Sequence, residues 1–150
     1  MEKKIKIRVR LVIISKEKLL LSYVKDEDFY FYIGGKMEFG ETVEDACIRE
    51  VKEECDEAKF EFKKILYVRD FIRPEENEHS LELYVLGEID KFGELEKFPD
   101  PEFPDNHFQT WVDLKKLPKI NVKPKNLTRR ILQDYKREFP EGAVYLKTIE

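Results

Sequence analysis

The sequence lacks the long apolar runs of a membrane protein. Its uninterrupted apolar runs, such as residues 11–14 and 19–21, are far short of the roughly 20 residues that cross a bilayer as a helix. The first residues alternate between charged and apolar types, without the apolar stretch and small-residue site of a secretory signal. We therefore expect a cytoplasmic protein with no membrane partner.

Cysteine is also scarce, with only Cys47 and Cys55 present. We predict that both lie in one helix, where a rise of about 1.5 Å per residue separates their Cα atoms by roughly 12 Å. A disulfide requires a Cα separation of ~7 Å or less, so the two should remain free. The sequence has no CxxC pair and only two histidines, His79 and His107, which argues against a zinc site.

Positive charge is not in excess. The chain has 28 Lys plus Arg against 32 Asp plus Glu, a formal net charge of −4, which argues against a general nucleic-acid-binding surface. Its 150 residues are 41% hydrophobic and 13% aromatic, too apolar for a disordered chain and of the usual size for one domain. We expect a single domain over residues 1–150, in which a small anionic ligand needs local positive charge.

The polar and apolar pattern predicts strands on both sides of a central helix. Residues 3–10 alternate with period two, which places Ile5, Ile7 and Val9 on one face and the charges on the other. Further strands are predicted at residues 19–24, 29–33, 60–72, 80–89, 108–112 and 143–149, with a hairpin turn at 25–28. Helices are predicted at about residues 42–55 and 126–139. This order indicates an α/β or α+β sandwich.

Two segments have more specific signals. Thr42 is followed three residues later by Asp45, the pattern of a capping box at the start of a helix. Residues 90–106 carry three prolines and little periodicity, which predicts a long loop. Such a loop is either a lid or binding element, or simply a surface excursion.

The central helix contains an unusual acidic cluster. Glu50, Glu53 and Glu54 stand at i, i+3 and i+4, so their carboxylates share one helix face, at a cost of about 0.2–0.5 kcal/mol per like-charged pair. In a chain rich in Glu, a solvated acidic face is the ordinary explanation. The helical phase instead places Glu50 and Glu54 beside the apolar stripe. Half-sheltered carboxylates suit Mg²⁺ or Mn²⁺, and Mg²⁺ is often shared with substrate phosphates.

Residues around this cluster match a longer pattern, which is a glycine, five residues, Glu, seven residues, and then Arg-Glu-apolar-x-Glu-Glu-x-Gly-apolar. The matching residues are Gly35, Glu41, Arg49, Glu50, Val51, Glu53 and Glu54. The segment therefore resembles the signature of the Nudix hydrolases. The resemblance implies an α/β/α sandwich around a mixed sheet. It also implies an enzyme that hydrolyses a nucleoside diphosphate linked to another group, with Mg²⁺ or Mn²⁺ as cofactor.

The resemblance also implies roles for individual residues. Metal ligands would be the Gly35 carbonyl, Glu50, Glu53 and Glu54, and catalytic residues would be Glu50, Arg49 and Glu41. Glu50 would be a ligand or the base that activates water, while Glu41 and Arg49 would orient the ligands. A base outside the motif stays open, and the candidates in or near loops are Glu75, Glu76, Glu78, Glu82 and Glu102.

Two positions depart from the pattern. Asp56 stands where a glycine is expected, and Glu57 where an apolar residue is expected. A glycine after a helix usually supplies a left-handed conformation, which Asp tolerates better than most residues. We therefore expect altered local stability at the helix exit rather than lost chemistry.

Candidate substrate contacts lie outside the motif. Lys36, Arg69 and Arg73 either bind substrate phosphates or form ordinary solvated surface. The aromatic residues 29–32 and Phe39 either stack on a nucleobase or pack in the core, and core packing is favoured. Trp111 is expected to be structural.

The leading hypothesis is a pyrophosphohydrolase that acts on a nucleotide sugar such as ADP-ribose or on a modified nucleoside triphosphate. The alternatives are a Nudix-fold sensor that binds nucleotides without cleaving them, and an inert domain with an acidic helix. The partner is a small nucleotide, and a homodimer is possible. The sequence does not choose the substrate or the number of metal ions.

Overall fold

The computed structural model describes residues 2–150, which form ten strands and two α-helices. The strands are β1 Lys6–Ser15, β2 Lys18–Val24, β3 Phe29–Phe31, β4 Gly34–Lys36, β5 Phe60–Arg73, β6 Glu78–Ile89, β7 Phe98–Pro99, β8 His107–Asp113, β9 Val122–Lys123 and β10 Val144–Tyr145. The helices are α1 Val43–Glu54 and α2 Lys125–Lys136. Three short 3-10 turns, Pro74–Glu76, Gly93–Leu95 and Leu114–Lys119, join these elements.

The strands form one mixed sheet in the order β10-β5-β6-β1-β2-β3-β9. β4 pairs with β1, and β8 pairs with β2 and β7. β1 runs parallel to β6, whereas β5 and β6 are antiparallel. The predicted hairpin is confirmed, because β2 and β3 pair antiparallel in the register Ser22 to Phe31 and Val24 to Phe29.

Each helix packs on its own apolar cluster. Ala46, Cys47 and Val51 of α1 pack with Val9, Leu11 and Ile13 of β1. Leu127 and Ile131 of α2 belong to a second cluster that contains Val12, Tyr67 and Tyr84. Successive β1 residues point to opposite faces of a sheet, so the two helices cover opposite sides. The expected α/β/α sandwich around a mixed sheet is confirmed.

The local signals at α1 are confirmed. The Thr42 side chain accepts from the Asp45 N–H at 3.0 Å, and the Asp45 side chain accepts from the Thr42 N–H at 3.1 Å. At the other end, Asp56 and Glu57 have φ of 51° and 61°. Both residues are thus left-handed without being glycine, which costs roughly 1–2 kcal/mol per residue. Lys91 forms an ion pair with Asp56 at 3.3 Å and helps to hold this exit.

Three predicted elements are shorter than expected, and the first is the strand predicted at 29–33, which is observed as Phe29–Phe31. The second helix ends at Lys136 rather than Phe139, because Glu138 and Phe139 adopt positive φ of 57° and 48° and the buried Phe139 folds back into the core. The last strand covers only residues 144–145, because Lys147 has φ of 52° and turns the chain.

The charged face of β1 is more sheltered than the alternating pattern predicts, although Val9 on the apolar face is fully buried as expected. Ile5 and Ile7 are exposed at 66% and 44%, whereas Arg8 and Arg10 on the other face are half-buried. Their face is sheltered because it lies over a cleft rather than in solvent. The positive charges on this strand are therefore part of an internal surface.

The loop at residues 90–106 is anchored in the core. Leu95 is fully buried, and the buried Trp111 donates its indole N–H to the Phe92 carbonyl at 2.7 Å, so Trp111 is structural as predicted. Cys47 and Cys55 are both free and buried, as predicted. Within residues 2–150, no helix is long and apolar enough to span a membrane.

Candidate active site

The last turn of α1 places Glu54 against the glycine strand β4. Its Oε2 accepts a hydrogen bond from the Gly34 N–H at 3.1 Å. Gly34 has φ of 144°, and a Cβ there would lie 1.9 Å from the Val9 carbonyl oxygen. Only glycine fits this close approach of two strands, so the sequence Gly34-Gly35 is what allows the backbone to meet the helix.

Glu50 lies one turn earlier and faces the second glycine. It is only 7% exposed, and a Cβ on Gly35 would lie 2.7 Å from its Oε1. Burial is the main reason that the pKa of Glu50 is raised, and the ion pair with Arg49 opposes this shift. Gly35 and Glu50 are thus close neighbours, and a side chain at position 35 would clash with the Glu50 carboxylate.

Glu54 carries the larger electrostatic perturbation. Burial first, and then the negative charges of Glu50 and Asp100, raise the pKa of Glu54 to about 8. The charge of Arg10 and the Gly34 hydrogen bond act in the opposite direction. Two carboxylates that are sheltered and close enough to repel each other are a feature of functional sites. A divalent cation between them would remove this repulsion.

Arg49 organises the acidic side of the site. Its Nε and one Nη donate to the two oxygens of Glu41 at 2.7 and 3.0 Å, a bidentate contact that fixes both side chains. The other Nη donates to Glu50 at 3.0 Å, and the guanidinium also reaches the Lys36 carbonyl at 2.9 Å. The hydrogen bonds from Arg49 are the main cause that lowers the pKa of Glu41 to about 2.

The expected convergence of three carboxylates is not observed. The Glu53 side chain is 57% exposed, and its nearest cation is Arg49 at 3.6 Å. In the described chain, residues 2–150, no three His, Cys, Asp or Glu side chains are close enough to form a metal-binding cluster. All three residues stand on one side of α1, but Glu50 and Glu54 face β4, whereas the Glu53 side chain is directed to solvent.

A cavity of about 850 Å³ includes Arg10 in its wall, and the charge of Arg10 acts on both Glu50 and Glu54. The carboxylates of α1 are not part of the cavity lining. Arg8, Arg10, Arg69 and Arg73 line it, together with Phe29, Phe31 and Tyr84. Two of the predicted substrate contacts, Arg69 and Arg73, are thus brought together, whereas Lys36 is exposed on β4 and is not part of the lining. Arg69 is only 4% exposed, so it is not the solvated surface residue that composition would suggest.

Two of the alternative bases are occupied in ion pairs on the cavity wall. Glu82 bridges Arg10 at 3.3 Å and Arg69 at 2.7 Å. Glu78 contacts Lys6 at 3.0 Å and Arg8 at 3.1 Å. The other three candidates, Glu75, Glu76 and Glu102, are exposed.

Sequence reasoning missed two residues. Arg10 influences both halves of the site, because it contacts Glu82 and its charge lowers the pKa of Glu50 and Glu54. The buried Asp100 comes from the proline-rich loop and acts on Glu54 in the opposite direction. In the sequence, the alternation of charged and apolar residues along β1 pointed to Arg10. No comparable local pattern pointed to Asp100.

The aromatic residues divide between core and cavity. Tyr32 is buried and packs edge-on against Tyr84, with ring centroids 5.3 Å apart. Phe29 and Phe31 are half-buried and line the cavity. The expectation of core packing is wrong for Phe39, which is fully exposed in the loop before α1.

The family model described as NUDIX domain matches residues 5–135. The chain belongs to the NUDIX family. Its fold is similar to that of a NUDIX hydrolase from Nitrosomonas europaea, with a TM-score of 0.70 and 16% identity over 95% of this chain and 79% of the other. A search of curated proteins finds no match.

Two other similar structures have more specific names. One is an ADP-ribose pyrophosphatase from Streptococcus suis, with a TM-score of 0.62 and 18% identity over 93% of this chain and 98% of the other. The other is a UDP-X diphosphatase, with a TM-score of 0.67 and 16% identity over 96% of this chain and 68% of the other. Membership of the NUDIX family supports an enzyme of the pyrophosphohydrolase type, and these neighbours show that the fold is shared.

Proposed function

We propose that this NUDIX protein is a metal-dependent pyrophosphohydrolase that cleaves the phosphoanhydride of a nucleoside diphosphate linked to another group. The observation that carries the proposal is the sheltered pair Glu50 and Glu54, held against the glycine strand with raised pKa values. Such a pair has little structural use without a cation to bind. Its electrostatic link through Arg10 to an arginine-lined cavity supports a substrate with several negative charges.

The donor set fits Mg²⁺ or Mn²⁺. Glu50, Glu54 and the Gly35 carbonyl supply hard oxygen atoms, and Glu53 would join them by rotating from its exposed position. Mg²⁺ needs only one or two protein carboxylates when substrate phosphates complete its coordination. When bound, such an ion would neutralise the phosphate oxygens and lower the pKa of an attacking water.

The protein's own groups would hold this arrangement in place. Arg49 and Glu41 would fix the orientation of Glu50 through the contacts described above, and Glu50 would accept the proton of the attacking water. Asp100 is a second candidate for that proton, because it is buried near Glu54. Arg69 and Arg73 would bind substrate phosphates inside the cavity, and Lys36 would do so from its rim.

The substrate class follows from the size and charge of the cavity. A volume of about 850 Å³ is at the upper end of the usual range for small-molecule sites. Phe29 and Phe31 offer ring surface for a base, and the arginines offer donors for phosphates. A nucleotide sugar such as ADP-ribose and a modified nucleoside triphosphate both satisfy these requirements, and the names of two structural neighbours favour the former.

The decisive experiment is a phosphate-release screen of purified protein with nucleotide sugars and nucleoside triphosphates in Mg²⁺ or Mn²⁺. We expect cleavage of at least one nucleotide-linked diphosphate, abolished by EDTA and unaffected by Glu44→Gln, which alters an exposed glutamate of α1. Calorimetry with Mn²⁺ and nucleotides completes the test. Nucleotide binding without turnover would indicate a sensor rather than an enzyme. Binding of neither Mn²⁺ nor nucleotides would indicate an inert domain.

We further propose that residues 1–150 act as one NUDIX domain in the cytoplasm. The two free, buried cysteines suit a reducing compartment. The negative net charge supports a small nucleotide partner rather than a nucleic acid. A homodimer stays a prediction, which sedimentation analysis would test.

A further inference from the structure

The segment from residue 144 to residue 150 runs along the edge of β5 and ends at the cavity. Val144 and Tyr145 pair in parallel with Tyr67 and Val68. Beyond this short strand, the Asp70 N–H donates to the Lys147 carbonyl at 2.8 Å. These backbone contacts place Glu150 next to the arginines of the cavity wall.

Glu150 is held there by three groups. One oxygen of its side chain accepts from Arg73 at 2.6 Å, and the other accepts from Arg69 at 3.3 Å. Its backbone oxygen accepts from the Asn126 N–H at 2.6 Å, in the first turn of α2, whose N-cap Pro124 provides no side-chain cap. A carboxylate across two guanidinium groups, beside a helix N-terminus, stands where a phosphate would bind well.

The cavity keeps a positive excess even with this carboxylate in place. Its lining contains six cationic side chains, Arg8, Arg10, Arg69, Arg73, Lys123 and Lys125, and four acidic ones, Glu27, Glu78, Glu82 and Glu150. This excess lies within a chain whose net charge is −4. Glu150 differs from Glu78 and Glu82 because it comes from outside the β5–β6 wall and its side chain is 57% exposed.

We propose that Arg69 and Arg73 form a phosphate subsite of the cavity, which the Glu150 carboxylate occupies until a phosphate group of the substrate displaces it. The inference rests on the proposed function, because the substrate supplies the phosphate. The Glu150 side chain thus acts as an internal competitor. It lowers the affinity for anions that are too weak to displace it.

The strengths of the contacts favour this exchange. Glu150 and Arg73 are partly exposed, at 57% and 35%, and exposed ion pairs are weak. A phosphate has more charge and more acceptor oxygens than a carboxylate, and it can engage both arginine forks. Arg69 keeps its 2.7 Å contact with the buried Glu82, so its guanidinium stays in position when Glu150 leaves.

The subsite is also connected to the reacting groups. Glu82 links Arg69 to Arg10, and Arg10 is close enough to Glu50 and Glu54 for its charge to lower the pKa of both. A substrate that spans this distance would place one phosphate at the α1 carboxylates and another anionic group at the arginine pair.

Calorimetric titration of the intact chain with pyrophosphate and with ADP, in EDTA, tests the proposal. We expect Glu150→Gln to bind either anion about 1.5-fold to fivefold more tightly than the original protein, the range of one weak ion pair. The matched control is Glu141→Gln, since Glu141 also bridges two arginines, Arg130 and Arg137, and is 50% exposed. This control should not change the affinity.

The double variant Glu150→Gln with Arg73→Gln should lose the gain. Tightening for ADP alone would assign the subsite to a nucleotide-borne phosphate, and tightening for both anions would assign it to phosphate in general. An unchanged affinity in Glu150→Gln, or a gain that persists without Arg73, would overturn the proposal.

Thermal unfolding checks that each variant is folded. If Glu150→Gln is not folded, the test is repeated with Glu150→Asp, whose shorter side chain reaches less far. Since the titration needs no metal and no cleavage, its result is separate from that of the hydrolysis screen.

Discussion

The carboxylates of α1 and the arginines of the cavity are both clusters of like charge, but the fold compensates them differently. The buried guanidinium of Arg69 contacts Glu82 at 2.7 Å, and Arg10 contacts the same carboxylate at 3.3 Å. Glu54 instead accepts a backbone N–H from Gly34, and its pKa is raised to about 8 by burial and neighbouring negative charge.

This difference separates structural charge from functional charge. A buried charge is costly unless it is paired, and the arginines meet that requirement inside the fold. The carboxylates meet it only in part, through Arg49 on the Glu50 side. Buried carboxylates without enough positive partners are retained in a protein where an external cation supplies the missing charge. The comparison therefore favours a metal at α1 and a phosphate-bearing ligand between the two clusters.

The variant Glu54→Gln tests the acidic cluster and should have the largest effect. We expect hydrolysis to fall by on the order of 10²–10⁴-fold, because the carboxylate that we propose as a metal ligand is lost. In the metal-free protein above pH 8, where Glu54 is ionised, the melting temperature should stay the same or rise, because a sheltered negative charge is replaced by an amide that still accepts from Gly34. Steady-state kinetics and thermal unfolding measure both effects, with Glu44→Gln as the control. Undiminished cleavage would remove Glu54 from the mechanism.

The variant Glu82→Gln tests the arginine cluster. It should lower the free energy of unfolding by about 3 kcal/mol, since breaking a buried ion pair leaves Arg10 and Arg69 without their shared carboxylate. Urea denaturation measures the change. The control Glu88→Gln lies on the same strand, where the glutamate side chain is 64% exposed and its Lys63 partner is 3.8 Å away. A similar loss in both variants would contradict the assignment of Glu82 as a buried structural charge.

The variant Arg49→Lys sharpens the comparison on the acidic side. A lysine keeps the positive charge but cannot form the fork that contacts Glu41 and Glu50 together. We expect Mn²⁺ affinity and activity to fall by about 10–100-fold, with the fold retained. Calorimetry and kinetics test this against Arg137→Lys, which changes a 63% exposed arginine. Equal behaviour of the two variants would show that charge alone is sufficient at position 49.

Features that depend on neighbouring residues were predictable from the sequence. The capping box of Thr42 and Asp45 set the start of α1, and the spacing of Glu50 and Glu54 on the border of the apolar stripe placed them correctly near the buried side. These features follow from 3.6-residue periodicity and short-range hydrogen bonds, which the sequence displays directly.

Features that depend on tertiary contacts were not predictable. Glu150 and Arg69 are 81 residues apart in sequence, and Asp100 reaches Glu54 from a loop without periodicity. The period-two pattern of β1 indicated the two faces of the strand, but not that the charged face would also be sheltered, at Arg8 and Arg10. The exposed position of Glu53 also depends on where α1 meets β4, which the spacing of three glutamates does not specify.

Glu78 lies at the partly exposed edge of the arginine cluster rather than in its buried centre. Its contribution to the free energy of unfolding should depend on pH. Burial alone would raise the pKa of Glu78, but hydrogen bonds from Ser80, Lys6 and Arg8 outweigh it and lower the pKa to about 2, against 4.5 for an ordinary Glu. A group with a depressed pKa in the folded state contributes stability above its unfolded pKa and loses it as the pH falls. Glu78→Gln should therefore lower the free energy of unfolding by about 1 kcal/mol at pH 7, a value reduced for solvent screening, and the difference from the original protein should shrink between pH 4.5 and pH 2. Urea denaturation across this range measures it, and a difference that is independent of pH would show that Glu78 contributes by packing rather than by charge.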